Sequence, residues 1–182
     1  MKIACLGWGS LIWDPRKLKI DGHWNHDGPE LPIEFTRRSN NGRITLIVDR
    51  KAQHQTTFWS TMIVEDLDEA IMSLQQRENA PNKNSIHFAH VTDLADEDEK
   101  ATVVKWLSMK KIDAAIWTGI SYNPQINNGE RLSIDYVINY LKNIADEGIK
   151  QQAEEYVRRT PKQINTEYRR VIERELGWTH RD

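Results

Sequence analysis

Apolar positions in this chain fall first into short runs and later into stripes of helical spacing. Lys2 to Leu6 is a short apolar run of the kind that forms a buried strand. Leu31 to Thr36, Arg43 to Val48, Thr57 to Val64, Ile86 to Val91 and Ala114 to Trp117 read as further strands. Asn40-Asn41-Gly42, lying between two of these runs, is a turn signal that predicts a hairpin. Asp66 to Gln76 carries Leu67, Ala70, Ile71 and Leu74 on one stripe, which predicts an amphipathic helix. Ala95 to Met109 starts acidic and runs into Lys110-Lys111, the charge order a helix dipole favours. Ser133 is placed to cap a helix running to about Asp146. Thr160-Pro161-Lys162-Gln163 has the form of a capping box with proline at the first helical position. The helix it opens would turn Ile164, Tyr168, Val171 and Ile172 inward and stop at Gly177.

Strands gathered early and helices late argue against a doubly wound parallel sheet. They point to a mixed α+β fold, a mixed sheet or small barrel of about six strands packed by about four or five helices. With 182 residues and no repeat, low-complexity tract or long linker, residues 1–182 are expected to form a single domain. An apolar fraction of 38% with 29% charged residues suits a globular chain better than a disordered one. The net charge of −2 provides no electrostatic footprint for nucleic acid or an anionic membrane, so neither is expected as a partner. No apolar run approaches the roughly 18 residues that span a bilayer. The glycines at 7 and 9 interrupt the run that would otherwise resemble a signal peptide, so a cytoplasmic location is expected. The one cysteine, Cys5, excludes an intrachain disulfide and a cysteine-rich zinc site, and it reads as a small core residue. Nothing in the sequence specifies an oligomeric state.

The first candidate for chemistry is Gly7-Trp8-Gly9-Ser10, where the first strand breaks into a turn before Leu11-Ile12-Trp13 and the Asp14-Pro15 stop. Such a turn exposes backbone N–H groups that can cradle an anion such as a carboxylate, although the same residues also suit a plain turn. The second is Glu78. It lies four residues beyond Leu74, so the stripe turns it inward, and Pro81 ends the helix close behind it. Burial and the helix dipole both act to raise the pKa of a carboxylate placed there, which suits it to proton transfer near neutral pH. The competing reading pairs Glu78 with Arg77, Lys83 or another surface cation.

Other candidates carry less. His87 and His90 would point to opposite faces of a strand, and His23 and His26 lie in a polar loop without further ligands, so no metal is expected. Ser10 has no triad pattern, and no P-loop or dinucleotide fingerprint is present, so no cofactor is expected. The seven tryptophans are spread along the chain as core and pocket lining rather than as a base-stacking row. The acidic run Asp93 to Glu99 reads as a solvated helix start.

Taken in order, these landmarks resemble the γ-glutamyl cyclotransferase superfamily, most closely its ChaC-like branch. Gly7-Trp8-Gly9-Ser10-Leu11-Ile12-Trp13 resembles that branch's G-Y-G-S-L-I-W signature, with Trp8 in place of tyrosine. Gly42-Arg43-Ile44-Thr45-Leu46 resembles its G-R-V-V-T-L strand, and Arg37-Arg38 an arginine pair before it. Arg77-Glu78 falls where the family has an R-E pair at the end of its first long helix. Thr118-Gly119 to Asn123-Pro124 resembles a later strand-to-loop segment, and Asn165-Thr166-Glu167-Tyr168 matches an N-T-E-Y in the last helix. The chain departs from the branch after the R-E pair, where Asn79-Ala80-Pro81 replaces a Gly-Gly-Tyr type of sequence. It also has a longer segment between Ile86 and Ile112.

The resemblance implies a barrel-like α/β fold and an enzyme. Its reaction would be an intramolecular acyl transfer, in which the α-amino group of a γ-glutamyl compound attacks its own γ-carbonyl to give 5-oxoproline and a released amine or peptide. The substrate would be a small γ-glutamyl molecule: glutathione, with cysteinylglycine released, or a γ-glutamyl peptide or amine. Glu78 would be the general acid and base. Trp8, Gly9, Ser10 and Leu11 would hold the α-carboxylate, with Arg38 and Tyr122 as further polar groups toward the substrate. The alternatives on the same fold are a non-catalytic small-ligand-binding module and an interaction protein.

Overall fold

The computed structural model describes residues 1–95 and 98–181. In chain order the strands are β1 (Ile3–Gly7), β2 (Glu30–Arg38), β3 (Ile44–Val48), β4 (His54–Thr56), β5 (Phe58–Thr61), β6 (Ile86–His90) and β7 (Ala114–Thr118). The helices are α1 (Leu67–Glu78), α2 (Glu99–Lys110), α3 (Ile134–Lys142), α4 (Glu147–Arg159) and α5 (Glu167–Leu176). The architecture is mixed α+β, with the strands divided between two sheets. The chain divides into two compact units, Met1–Leu31 with Thr56–Ile120, and Pro32–Gln55 with Ser121–Asp182.

The first unit holds a four-stranded sheet in the order β5-β1-β7-β6. β1 and β7 are parallel, with Cys5 opposite Ile116, and both outer strands run antiparallel to them. Every residue of β1 is buried, as are the first four of β7, so these central strands read as continuous apolar runs rather than alternating ones. Cys5, Ile116, Leu11, Ala70, Ile71 and Leu74 belong to one core cluster, which joins α1 to the sheet. Burying a leucine or isoleucine side chain there contributes about 1.5–3 kcal/mol. Helix α1 begins at Asp66, whose side chain accepts the Glu69 N–H. It ends at Asn79, which adopts the left-handed conformation while the N–H of Ala80 reaches back to the Gln75 carbonyl. That stop leaves Glu78 as the last helical residue, as the position of Pro81 predicts.

The second unit holds β2, β3 and β4 in the order β3-β2-β4, with α3, α4 and α5. The predicted hairpin forms: β2 and β3 are antiparallel, with Ile33 opposite Val48 and Arg38 opposite Ile44. Gly42 has φ +84°, and a Cβ there would lie 2.8 Å from Ile149 and 2.9 Å from the Tyr140 hydroxyl. Glycine is required on both counts.

Several boundaries differ from the sequence expectation. The run Thr57 to Val64 supplies only β5, and the short β4 precedes it. Helix α2 starts at Glu99, capped by Asp98, and not at Ala95; Asp96 and Glu97 of that expected helix start lie outside the described residues. Helix α3 is capped by Ser133 as expected but stops at Lys142, and α4 follows as a separate, unanticipated helix capped by Asp146. The expected capping box at Thr160 is a helix end instead. Thr160 closes α4, with its hydroxyl donating to the Tyr156 carbonyl, and Pro161 acts as a terminator. The buried Arg169 guanidinium donates to the carbonyls of Thr160, Pro161 and Ile164, which satisfies a bend that no helix could. Helix α5 starts after Thr166, which accepts the Arg169 N–H, and stops at left-handed Gly177 as expected. No helix among the described residues is long and apolar enough to cross a membrane.

Candidate functional site

The glycine-rich turn follows directly from β1. Gly7 does not serve a positive φ; it gives room for Trp24, whose ring would lie 2.9 Å from a Cβ there. The chain then coils once, with the Ile12 N–H donating to the Gly9 carbonyl at 3.0 Å and the Asp14 N–H to the Ser10 carbonyl at 2.9 Å. This coil uses the N–H groups at its end and leaves those at its start. The N–H groups of Gly9, Ser10 and Leu11 donate to no backbone or side-chain acceptor among the described residues. Gly9 and Leu11 are buried residues, and buried amides without partners are rare in folded proteins unless they face a ligand or water. The turn therefore has the donors needed to cradle an anionic group.

Glu78 reaches the same turn through its neighbour. The Arg77 Nη1 donates to Glu78 Oε1 at 2.6 Å, and Nη2 donates to Ser10 Oγ at 3.2 Å. The Asp14 carbonyl accepts from the other side of the guanidinium, at 2.6 Å from Nη2 and 3.1 Å from Nε. The Arg77 side chain is 4% exposed and that of Glu78 17%, so this is an ion pair largely withdrawn from water. Both earlier readings of Glu78 hold in part: it is turned mostly inward, and its cation is Arg77. Lys83, the other cation considered, pairs with Asp68 instead.

Cys5 lies beneath. Burial pushes its thiol well above the ordinary range, the Glu78 charge pushes the same way, and the Arg77 charge opposes both. A thiol held neutral in this way is a core residue rather than a nucleophile. Two of the histidines set aside earlier have ring contacts that account for their placement. His26 packs on Phe58 at 4.8 Å between centroids, and His87 meets Trp117 edge-on at 5.9 Å.

Arg38 and Tyr122 belong to the second unit, and each has partners there. Arg38 lies over the Tyr140 ring at 4.5 Å and donates to the Tyr136 hydroxyl at 3.1 Å. The Asn123 side chain donates to the Arg38 carbonyl at 3.1 Å. Tyr122 is bonded to Asp49; burial first, and then the Asp49 charge, push its phenol up to about 12. Burial acts to raise Asp49, but the Arg131 hydrogen bond, the Lys51 N–H and the Arg131 charge outweigh it and hold the carboxyl low. Arg131 Nε reaches Asp49 at 2.6 Å and its Nη1 reaches the Tyr168 hydroxyl at 2.6 Å. Asp49 and Arg131 went unnoticed in the sequence because their pairing joins positions 49 and 131, and no local pattern marks it.

Asn165-Thr166-Glu167-Tyr168 also finds its role in this unit. Thr166 donates to buried Glu34, whose other oxygen accepts the Tyr168 N–H at 3.2 Å. The Asn165 N–H donates to Gln55 at 3.0 Å. The matched motif thus anchors the start of α5 to the β-sheet of its own unit.

No known family model matches the chain, and no curated protein matches it. Among solved structures it is similar to the crystal structure of a γ-glutamyl cyclotransferase specific to glutathione from yeast. The two share 14% identity over 97% of this chain and 98% of that one, with a TM-score of 0.48.

Proposed function

We propose that this protein is a γ-glutamyl cyclotransferase, an enzyme that converts a small γ-glutamyl compound to 5-oxoproline and a released amine or peptide. The observation that carries the reading is local: one buried guanidinium ties the Glu78 carboxylate to the turn whose amides lack acceptors. An intramolecular acyl transfer needs a proton acceptor and an anion cradle, and Arg77 bonds a residue of each. The order of sequence motifs described above supports the same reading.

In this reaction the substrate carries its own nucleophile. The N–H groups of Gly9, Ser10 and Leu11, with the Ser10 hydroxyl, hold the α-carboxylate, while Trp8 lines the turn. The γ-glutamyl arm is folded so that its α-nitrogen approaches its γ-carbonyl carbon, the near-attack geometry that supplies most of the acceleration. Glu78 takes a proton from the α-ammonium, and the freed amine bonds to the γ-carbonyl carbon. The ring nitrogen then sheds its second proton, the bond to the leaving nitrogen breaks as the tetrahedral intermediate collapses, and Glu78 returns the first proton to that nitrogen, the released amine taking up the second to leave as an ammonium. Atoms balance without water or a co-reactant. The substrate-binding roles of Arg38 and Tyr122 rest on the resemblance alone.

The test is to incubate the protein with glutathione, γ-glutamyl dipeptides and γ-glutamyl amines and to identify the products by mass spectrometry. Formation of 5-oxoproline with one partner amine names the substrate class. Release of glutamate instead would mean hydrolysis and would overturn the reading.

A further inference from the structure

We infer that Arg77 is the positioning residue of this site, fixing which oxygen of Glu78 and which polarity of Ser10 face the substrate. The inference rests on the functional reading above and adds to it a residue that neither the motif order nor the stripe assigned a task.

An arginine side chain only donates. Ser10 Oγ, 3.2 Å from Arg77 Nη2, is therefore the acceptor in that bond, and its own O–H is left to donate outward. That polarity suits a bound carboxylate and opposes a bound ammonium. The same logic divides the Glu78 carboxylate. Oε1 is held by Nη1 at 2.6 Å, while Oε2 has no partner among the described residues and is the oxygen left to take a proton.

The guanidinium is in turn held from behind. The Asp14 carbonyl accepts from both Nε and Nη2, so the fork cannot rotate without breaking its other bonds. Asp14 closes the coil that starts at Gly9, so one side chain fixes the turn at two points and the carboxylate at a third. A lysine could keep the charge but not span three acceptors in a plane. Removing the cation would leave Glu78 with no partner in a site largely closed to water.

A merely structural clamp would also be buried, so the experiment reads catalysis and fold separately. Arg77→Lys, Arg77→Ala, Ser10→Ala and Glu78→Gln are compared with the wild type in 5-oxoproline release, with thermal unfolding of each. The expected result is a kcat loss of about 100-fold in both Arg77 variants, the scale of a misplaced reacting group. Ser10→Ala is expected to raise KM more than it lowers kcat. Methylguanidinium is expected to restore activity to Arg77→Ala and not to Glu78→Gln. If Arg77→Ala does not fold, Arg77→Lys carries the comparison. Wild-type kinetics in Arg77→Lys would overturn the inference, as would a loss in folded Arg77→Ala that methylguanidinium leaves unchanged, while the functional reading stands in either case. Absence of 5-oxoproline from the wild type itself would overturn the functional reading, and the inference with it.

Discussion

Glu78 occupies an awkward place for a carboxylate, at the end of a helix where the dipole is negative and water is largely excluded. Such a position is kept only if something compensates, and Arg77 does so at 2.6 Å. The inward turn of Glu78 was legible from the stripe 67-70-71-74, which continues to 78. The same stripe also reaches 77, three residues beyond Leu74, and an arginine in the last turn of a helix usually reads as a solvated charge favoured by the dipole. Its burial depends on Ser10 and Asp14, which approach from far away in sequence, so no local pattern could give it. Glu78→Gln keeps the side chain's size and its hydrogen bond to Arg77 but cannot cycle a proton. Calorimetry on the variant should show γ-glutamyl ligand binding within about 1 kcal/mol of the wild type, the scale of one hydrogen bond. Loss of binding together with turnover would assign Glu78 to holding substrate rather than to proton transfer.

At the scale of elements, the end of α1 decides where the site's carboxylate lies. Asn79 stops the helix in the left-handed region, at φ 50°, where asparagine is tolerated and alanine is not. Asn79→Ala should lower unfolding stability by about 1 kcal/mol, and Asn79→Gly should match or exceed the wild type. Denaturant melts of the two variants check this; equal losses in both would mean that the Asn79 side chain, not its backbone, holds the stop. Helix ends were legible where the cap was local, as at Asp66, Ser133 and Gly177. The start of α5 was misread although its cap is local, because Thr160 is a second residue of capping type ahead of Thr166. Thr160-x-x-Gln163 has the letters of a capping box, but Arg169 bonds the carbonyls of this bend and Thr166 caps the helix instead. Helix α4 was missed because the preceding helix was extended through Asp146, the residue that caps α4.

At the scale of the whole molecule, the mixed α+β architecture could be read from strands placed early and helices placed late. The division of those strands into two sheets could not, because the order β5-β1-β7-β6 depends on pairings between distant segments. The buried polar network of the second unit was equally hidden, and it has a consequence for stability. Asp49 has a folded pKa below its ordinary value of 3.8. Its contribution is therefore present in full above that value and is lost as pH falls through the lower, folded one. Chemical denaturation followed from pH 6 down to about pH 2 should show a larger stability loss in the wild type than in Asp49→Asn, which starts from lower stability near neutrality. Parallel curves for the two proteins would mean that the network does not respond to this charge.

The central claim is that Glu78 moves the proton in a cyclisation that releases 5-oxoproline. Its most direct test is the initial rate of 5-oxoproline release from glutathione and other γ-glutamyl compounds, wild type against Glu78→Gln at equal concentration. The account requires release by the wild type and a fall of at least about 100-fold in the variant, the lower end of what general acid–base catalysis contributes. Equal release by the two proteins, or none by the wild type from any γ-glutamyl compound, would contradict it.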